Sequence, residues 1–379
     1  MELVFGIILG LVVLVVLVVL HELGHAIAAR RNGVVVEEFG IGFPPRAWGK
    51  KLKNGILFSL NVLPLGGFVK LQGENDAAHK KGDFGAATFW QKTKIMLAGV
   101  LVNWIVAVII LTGLAFVGLP KIIPNQFSIA SDTVQINKPL QLVEVVKDYP
   151  AAQAGLVSGD QIISVDGENI ETAEAFIALT KERRGETVNI EYIRNGEEKT
   201  ANVALRDSDA AVFGSTLGQQ QAIKATWSAP IVGVVTTAQF TWVTLQGLGH
   251  LVTDFFGGLF MQLSPNEATR EQGSANLEEA SNSVAGPVGI LGTIFPQAGQ
   301  AGPVQVLFLA AIISLTLAVM NVLPIPALDG GSWFLMAFYK LIRKPLTKER
   351  EEQIKGIGFM VLMGLIILVT VGDVAKLFS

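Results

Sequence analysis

Apolar positions dominate this chain in long blocks, and their spacing separates membrane-like segments from a sheet-like one. Leu3 to Leu20 contains no charged residue. About 20 apolar residues span a bilayer core as a helix, so a first membrane helix is expected to start near Met1 and continue to Arg30. Glu2 stands where a signal peptide carries its basic residues, and the segment is therefore expected to be retained. A second span reads from Ile95 to Leu119, a third from Val304 to Tyr339 and a fourth from Ile357 to Val371. The third is too long for one simple helix. Its centre, "NVLPIPALDGG" from Asn321 to Gly331, holds two prolines and a glycine pair and is expected to break it. Trp227 to Thr253 is also free of charge but rich in Thr, Gln and Gly, and is expected to lie on the membrane surface or against the bundle.

Between the second and third spans the period changes to two. "LVEVV", "QIISVDG", "TVNIEYIRNG" and "TANVAL" alternate between Leu140 and Leu205, with Asn195-Gly196 as a hairpin turn and a helix from Thr172 to Arg183. The pattern predicts a polytopic α-helical membrane protein with four transmembrane helices, an inserted β-rich domain and a β hairpin after the first helix. The expected segments are 1–30 (first helix), 31–90 (loop and hairpin), 91–120 (second helix), 121–210 (β-rich domain), 211–302 (interfacial linker), 303–342 (broken third helix) and 343–379 (loop and fourth helix). Lys and Arg cluster from Arg30 to Lys94 and again from Lys340 to Lys355. By the positive-inside rule both stretches are expected in the cytoplasm, with both termini and the β-rich domain on the extracytoplasmic side.

Composition agrees. Of 379 residues, 50% are hydrophobic and 16% charged, against roughly a quarter charged in soluble domains. A net charge of -3 offers no basic face for nucleic acid, and the absence of cysteine excludes thiolate metal sites and cysteine nucleophiles.

The first span ends in His21-Glu22-Leu23-Gly24-His25. HExxH on a helix places two imidazoles one turn apart on one face, able to share a Zn2+, with the Glu available as a base. Ionisable residues at membrane depth are costly and mark functional sites. A catalytic zinc takes three protein ligands. His79 sits in a polar loop and His250 lies beyond the far face, so a carboxylate is expected as the third ligand. Asp329 is the acidic residue of the third segment. An aspartate there also reads as a cap on the broken helix, a role compatible with ligation.

HELGH and NVLPIPALDGG resemble the paired motifs of the site-2 protease family of intramembrane zinc metalloproteases (peptidase family M50), in particular the bacterial sigma-factor regulators of the regulator-of-sigma-E-protease type that carry a PDZ domain. "FGIGFPP" (39–45), "LPLGGFVK" (63–70), "AGVLVN" (98–103), "AAQAGLVSGDQIISVDG" (151–167) and "AGPVGI" (285–290) resemble family segments in the same order. Pro44, Phe68 and Val100 depart from the family pattern, and one PDZ-like unit is present where some members have two. The resemblance implies Zn2+ held by His21, His25 and Asp329, with Glu22 as general base and acid. It implies a bacterial cell-membrane location and single-pass membrane proteins as substrates, such as anti-sigma factors or signal-peptide remnants.

Asn321 is a candidate oxyanion donor or substrate clamp. Asn103 is a candidate for a similar supporting role or for interhelical packing. Gly55 to Leu71, with Asn61, is similar to the family's re-entrant β hairpin, whose edge would hold substrate as an added strand; an amphipathic surface hairpin is the other reading. The PDZ-like domain would bind peptide termini or exclude bulky ectodomains. A transporter built on the broken helix is the competing function. A second HExxH or LDGG, which an inverted repeat would supply, is absent from the sequence.

Overall fold

A computed structural model describes residues 2–74, 78–194, 196–208 and 211–378. Asp76, and Asn195 of the expected hairpin turn, lie outside the described residues. The chain forms two compact units, one of Met1–Gly113 with Pro230–Ser379, the other of Leu114–Ala229.

The first unit opens with α1 (Glu2–Arg31), which ends on Arg30 and Arg31, cations placed favourably in the last helical turn. Strands β1 (Val36–Lys51) and β2 (Leu57–Leu71) follow and pair antiparallel. The expected strand Gly55–Leu71 thus finds its partner upstream. Both strands bend. Glu38 to Ile41 faces Leu57 to Leu60 on one side and Gly67 to Lys70 on the other, with partner numbers that rise in the first case and fall in the second. Asn61 braces the bend, its Nδ2 donating to the carbonyls of Ile41 and Gly42 at 3.2 Å each. Next come α2 (Phe89–Met96), opened by a Thr88/Gln91 capping box, and α3 (Ala98–Val117).

The second unit holds β3 (Leu119–Lys121), β4 (Val134–Asn137), β5 (Leu140–Val145), α4 (Pro150–Gln153), β6 (Gln161–Val165), β7 (Glu168–Asn169), α5 (Ala173–Glu182), β8 (Thr187–Arg194), β9 (Glu197–Ala204), β10 (Ser215–Gly218) and β11 (Gln221–Lys224). Its main sheet runs β10-β5-β6-β8-β9, with β7 on β6; β3-β11-β4 form a smaller sheet. The unit extends past the expected 121–210 at both ends because β10 closes the main sheet on β5, and β11 pairs with both β3 and β4. Alternation drives the fold: Leu140 and Leu142, Val188 and Ile190, and Ala201 and Val203 point inward onto Phe176 of α5.

Asp160 is fully buried and pairs with Arg194 through contacts of 2.7 Å from Nε and Nη2. Desolvation pushes its carboxyl up, but the Arg194 hydrogen bonds and the Val157 N–H hold it below the usual carboxylate range. Its stabilising contribution is therefore present above that range and lost as pH falls through the depressed pKa. Arg194→Met strands a buried carboxylate and is expected to cost about 3 kcal/mol. Amide hydrogen exchange in β5, β6 and β8 of the full-length protein checks this; the expected acceleration at neutral pH is about a hundredfold, and wild-type rates would refute it.

After the second unit the chain returns as α6 (Ala229–Gln262), α7 (Glu267–Asn282), the short α8 (Pro287–Gly289), a π turn over Ile290–Ile294, α9 (Phe295–Ala301), α10 (Pro303–Val322), α11 (Asp329–Leu341) and α12 (Lys348–Phe378). Among the described residues, five helices are long and apolar enough to cross a membrane: Leu3–Arg31, Phe89–Val117, Ala229–Gln262, Pro303–Val322 and Lys348–Val374. The sequence pattern expected four crossings, with the third of these helices lying on the membrane surface or packed against the bundle. Its threonines made it look polar, yet Thr237 and Thr241 donate to the carbonyls four residues earlier at 2.7 Å, so their hydroxyls are satisfied within the helix.

The expected break falls between α10 and α11. Residues 323–328 reverse the chain tightly enough that a Cβ on Gly330 would lie 2.1 Å from the Val322 carbonyl oxygen, and one on Gly331 1.9 Å from that of Ile325. Both positions demand glycine for space alone.

Candidate metal centre

Helical spacing brings His21 and His25 to one face of α1, with ring centroids 4.8 Å apart. Asp329, first residue of α11, reaches them across the break. Its Oδ2 lies 3.1 Å from His21 Nε2 and 3.2 Å from His25 Nε2, and the two nitrogens are 3.1 Å apart. This carboxylate, expected as the third ligand and also readable as a helix cap, is directed at the imidazoles. Among the described residues this is the group of histidine and acidic side chains close enough to share a metal ion. His79 and His250 lie outside it.

The donor set fits Zn2+. Four-coordinate zinc with bonds of about 2.0–2.1 Å holds its ligand atoms roughly 3.3 Å apart, close to the triangle seen here. His25 Nδ1–H donates to the Ile95 carbonyl at 2.8 Å, which leaves Nε2 with a bare lone pair. In the neutral ring that lone pair converges with the Asp329 oxygen, an arrangement that a shared cation, metal or proton, reconciles. Fixing a ligand imidazole through its other nitrogen is also how metal sites set the tautomer. The site is largely shielded, with side-chain exposures of 9% for His21, 12% for His25 and 27% for Asp329.

Supporting groups come from three elements. Gly99, in the first turn of α3, backs both rings: a Cβ there would fall 2.4 Å from His25 Nε2 and 2.7 Å from His21 Nε2. Trp333, one turn after Asp329, donates from Nε1 to Thr93 Oγ1 at 2.9 Å and ties α11 to α2, the helix that presents Ile95. Glu22 points toward β2, where the main chain of Val69 is near its carboxylate and its Cγ lies 3.6 Å from the position of a Cβ added to Gly67.

Other expected site residues have different surroundings. Asn61 spends its amide N–H groups on β1. Asn321 occupies the last turn of α10, its carbonyl oxygen 2.8 Å from where a Cβ on Gly330 would sit. Asn103 is buried on α3, with no hydrogen-bond partner for either amide atom among the described residues, while its main-chain carbonyl accepts from Ser314 Oγ at 2.8 Å. Sequence reasoning missed Gly99, Ile95, Val69 and Trp333. Gly99 alone left a trace, as the small residue in "AGVLVN".

Comparison with known proteins places this geometry. A zinc metalloprotease assigned by name in Clostridium perfringens is 34% identical over 97% of this chain and 98% of its own length. The regulator of sigma-W protease RasP of Bacillus subtilis is 27% identical over 96% of both chains. The crystal structure of a PDZ domain from an SdrC-like protein of Listeria monocytogenes is 26% identical, covering 24% of this chain and 93% of that domain, with a TM-score of 0.19. The Peptidase family M50 profile matches residues 9–365, and the chain belongs to that family.

Proposed function

We propose that the protein is a zinc-dependent endopeptidase of the site-2 type that hydrolyses peptide bonds within or beside the membrane segments of single-pass proteins. The observation that carries this is the convergence of His21 Nε2, His25 Nε2 and Asp329 Oδ2 from two apolar helices. Those three residues hold the metal. When bound, Zn2+ polarises a scissile carbonyl and makes water acidic enough to ionise near neutral pH.

The chain's own groups complete the reaction. Glu22 takes a proton from the attacking water at its carboxylate and returns it to the leaving amine. The β1–β2 sheet lies beside that carboxylate, and a substrate segment unwound into an extended strand and added to this sheet would expose carbonyls that a helix keeps hydrogen-bonded. Asn321, beside the start of α11, is the candidate donor to the developing oxyanion. Asn103 supports the α3–α10 contact.

The name of the Bacillus subtilis relative points to signalling proteolysis, with membrane-anchored anti-sigma factors as the corresponding substrate class. By the positive-inside rule the stretches Arg30–Lys94 and Lys340–Lys355 lie in the cytoplasm of a bacterial cell and both termini and the PDZ-like unit outside it, a topology in which α6 adds no fifth crossing. That unit would admit or dock substrates by their ectodomains or peptide termini. The transporter reading loses ground to a peptidase family that matches nearly the whole chain.

The test is cleavage of a panel of single-pass membrane peptides by the protein in vesicles. Removing zinc with a chelator is expected to abolish cleavage, and adding zinc back to restore it. Unchanged cleavage in metal-free protein would refute the proposal.

A further inference from the structure

The helical unit contains a cavity lined by none of His21, Glu22, His25 or Asp329. It is a cleft of about 800 Å³ between α1, α3, α6 and α10. α1 supplies Gly24, Ile27, Ala28 and Arg31, which the helical repeat puts on one face; Leu101 and Ala318 belong to opposing walls. The polar groups along these walls are already bonded. Trp104 Nε1–H donates to Thr241 Oγ1 at 3.2 Å, Asn32 Nδ2 to the Ala28 carbonyl at 2.8 Å, and Thr93 Oγ1 to the Phe89 carbonyl at 2.9 Å.

What remains polar is cationic. Arg31, the last residue of α1, and Lys94, at the end of α2, line the same cleft and are exposed. Among the described residues neither forms an ion pair. A carbon-lined cleft in an apolar helical bundle, with two unpaired cations where the charged ends of two helices meet, matches an amphiphile with an apolar tail and an anionic head. A peptide helix offers the tail surface alone, and the catalytic residues do not face this space.

We propose that the cleft is a binding site for an anionic glycerophospholipid, one acyl chain lying between α1 and α10 and the phosphodiester held by Arg31 and Lys94. Each cation at a membrane surface favours an anionic lipid by about fivefold, so a preference on the order of tenfold or more over a zwitterionic lipid is expected. The site is independent of the peptidase mechanism and stands or falls separately from it.

Native mass spectrometry of the full-length protein, released from vesicles of equal phosphatidylglycerol and phosphatidylcholine, tests this directly. The wild type is expected to retain phosphatidylglycerol in roughly tenfold excess. Arg31→Gln combined with Lys94→Gln is expected to bring that ratio to about one. Ala318→Phe, which fills the cleft, is expected to remove the retained lipid. A ratio unchanged in the double variant, or retention unaffected by Ala318→Phe, overturns the proposal. A photo-crosslinking side chain placed at Leu101 leaves both cations intact and supplies an independent readout. Capture of phospholipid supports the site, whereas capture of an added single-pass substrate peptide in its place assigns the cleft to substrate and overturns it.

Discussion

Glu22→Gln is expected to leave zinc content unchanged while lowering the cleavage of a single-pass membrane peptide by roughly 10²–10⁴-fold, the span typical of a lost general acid–base group. The separation of the two readouts follows from where the side chain points. Glu22 stands beside the metal cluster but is turned toward β2, its Cγ 3.6 Å from the position of a Cβ added to Gly67. Glutamine keeps the length and the shape. It cannot take a proton from water at neutral pH. Metal analysis and cleavage rates on the same preparation check the result. A variant that cuts at the wild-type rate would remove Glu22 from the chemistry; one that loses zinc would make it part of the metal's support.

Gly99→Ala is expected to do the reverse, weakening zinc first and activity as a consequence. The new methyl group would sit 2.4 Å from His25 Nε2, well inside contact distance, and would press on the His21 ring as well. Either the rings turn or α3 moves away from α1. Disturbing the groups that orient metal ligands typically costs 10–100-fold in affinity. The effect here is expected at or above the upper end, because the intrusion meets a ligand atom itself. Gly113→Ala is the matched control: it lies on the same helix with nothing within 4 Å of an added Cβ. Competition with a zinc-binding dye measures both. Equal zinc affinity in wild type and Gly99→Ala would mean that the α1–α3 packing is looser than described.

The two variants also show which parts of the site sequence could reveal. HELGH is legible because the four-residue spacing and the helical period alone bring His21 and His25 together. Asp329 is legible because an acidic residue following Pro324 and Pro326 is out of place in an apolar segment. Gly99 and Trp333 act through shape, and what Ile95 and Val69 contribute is main chain, which every residue carries. Neither leaves a distinctive letter. The same limit applies to α6: its threonines count as polar in a composition, whereas Thr237 and Thr241 return their hydroxyls to the helix. The course of β1 and β2 was only half legible, since Gly55 to Leu71 alternates but gives no sign that Glu38 to Ile41 would lie between its two limbs.

The distance in sequence between His25 and Asp329, 304 residues, also sets a schedule. At about 5–20 residues per second, a ribosome needs roughly 15–60 s after making the two histidines to deliver the aspartate. Through that interval the nascent chain lacks the complete ligand triangle. The three-ligand site is therefore completed only once the start of α11 has been made.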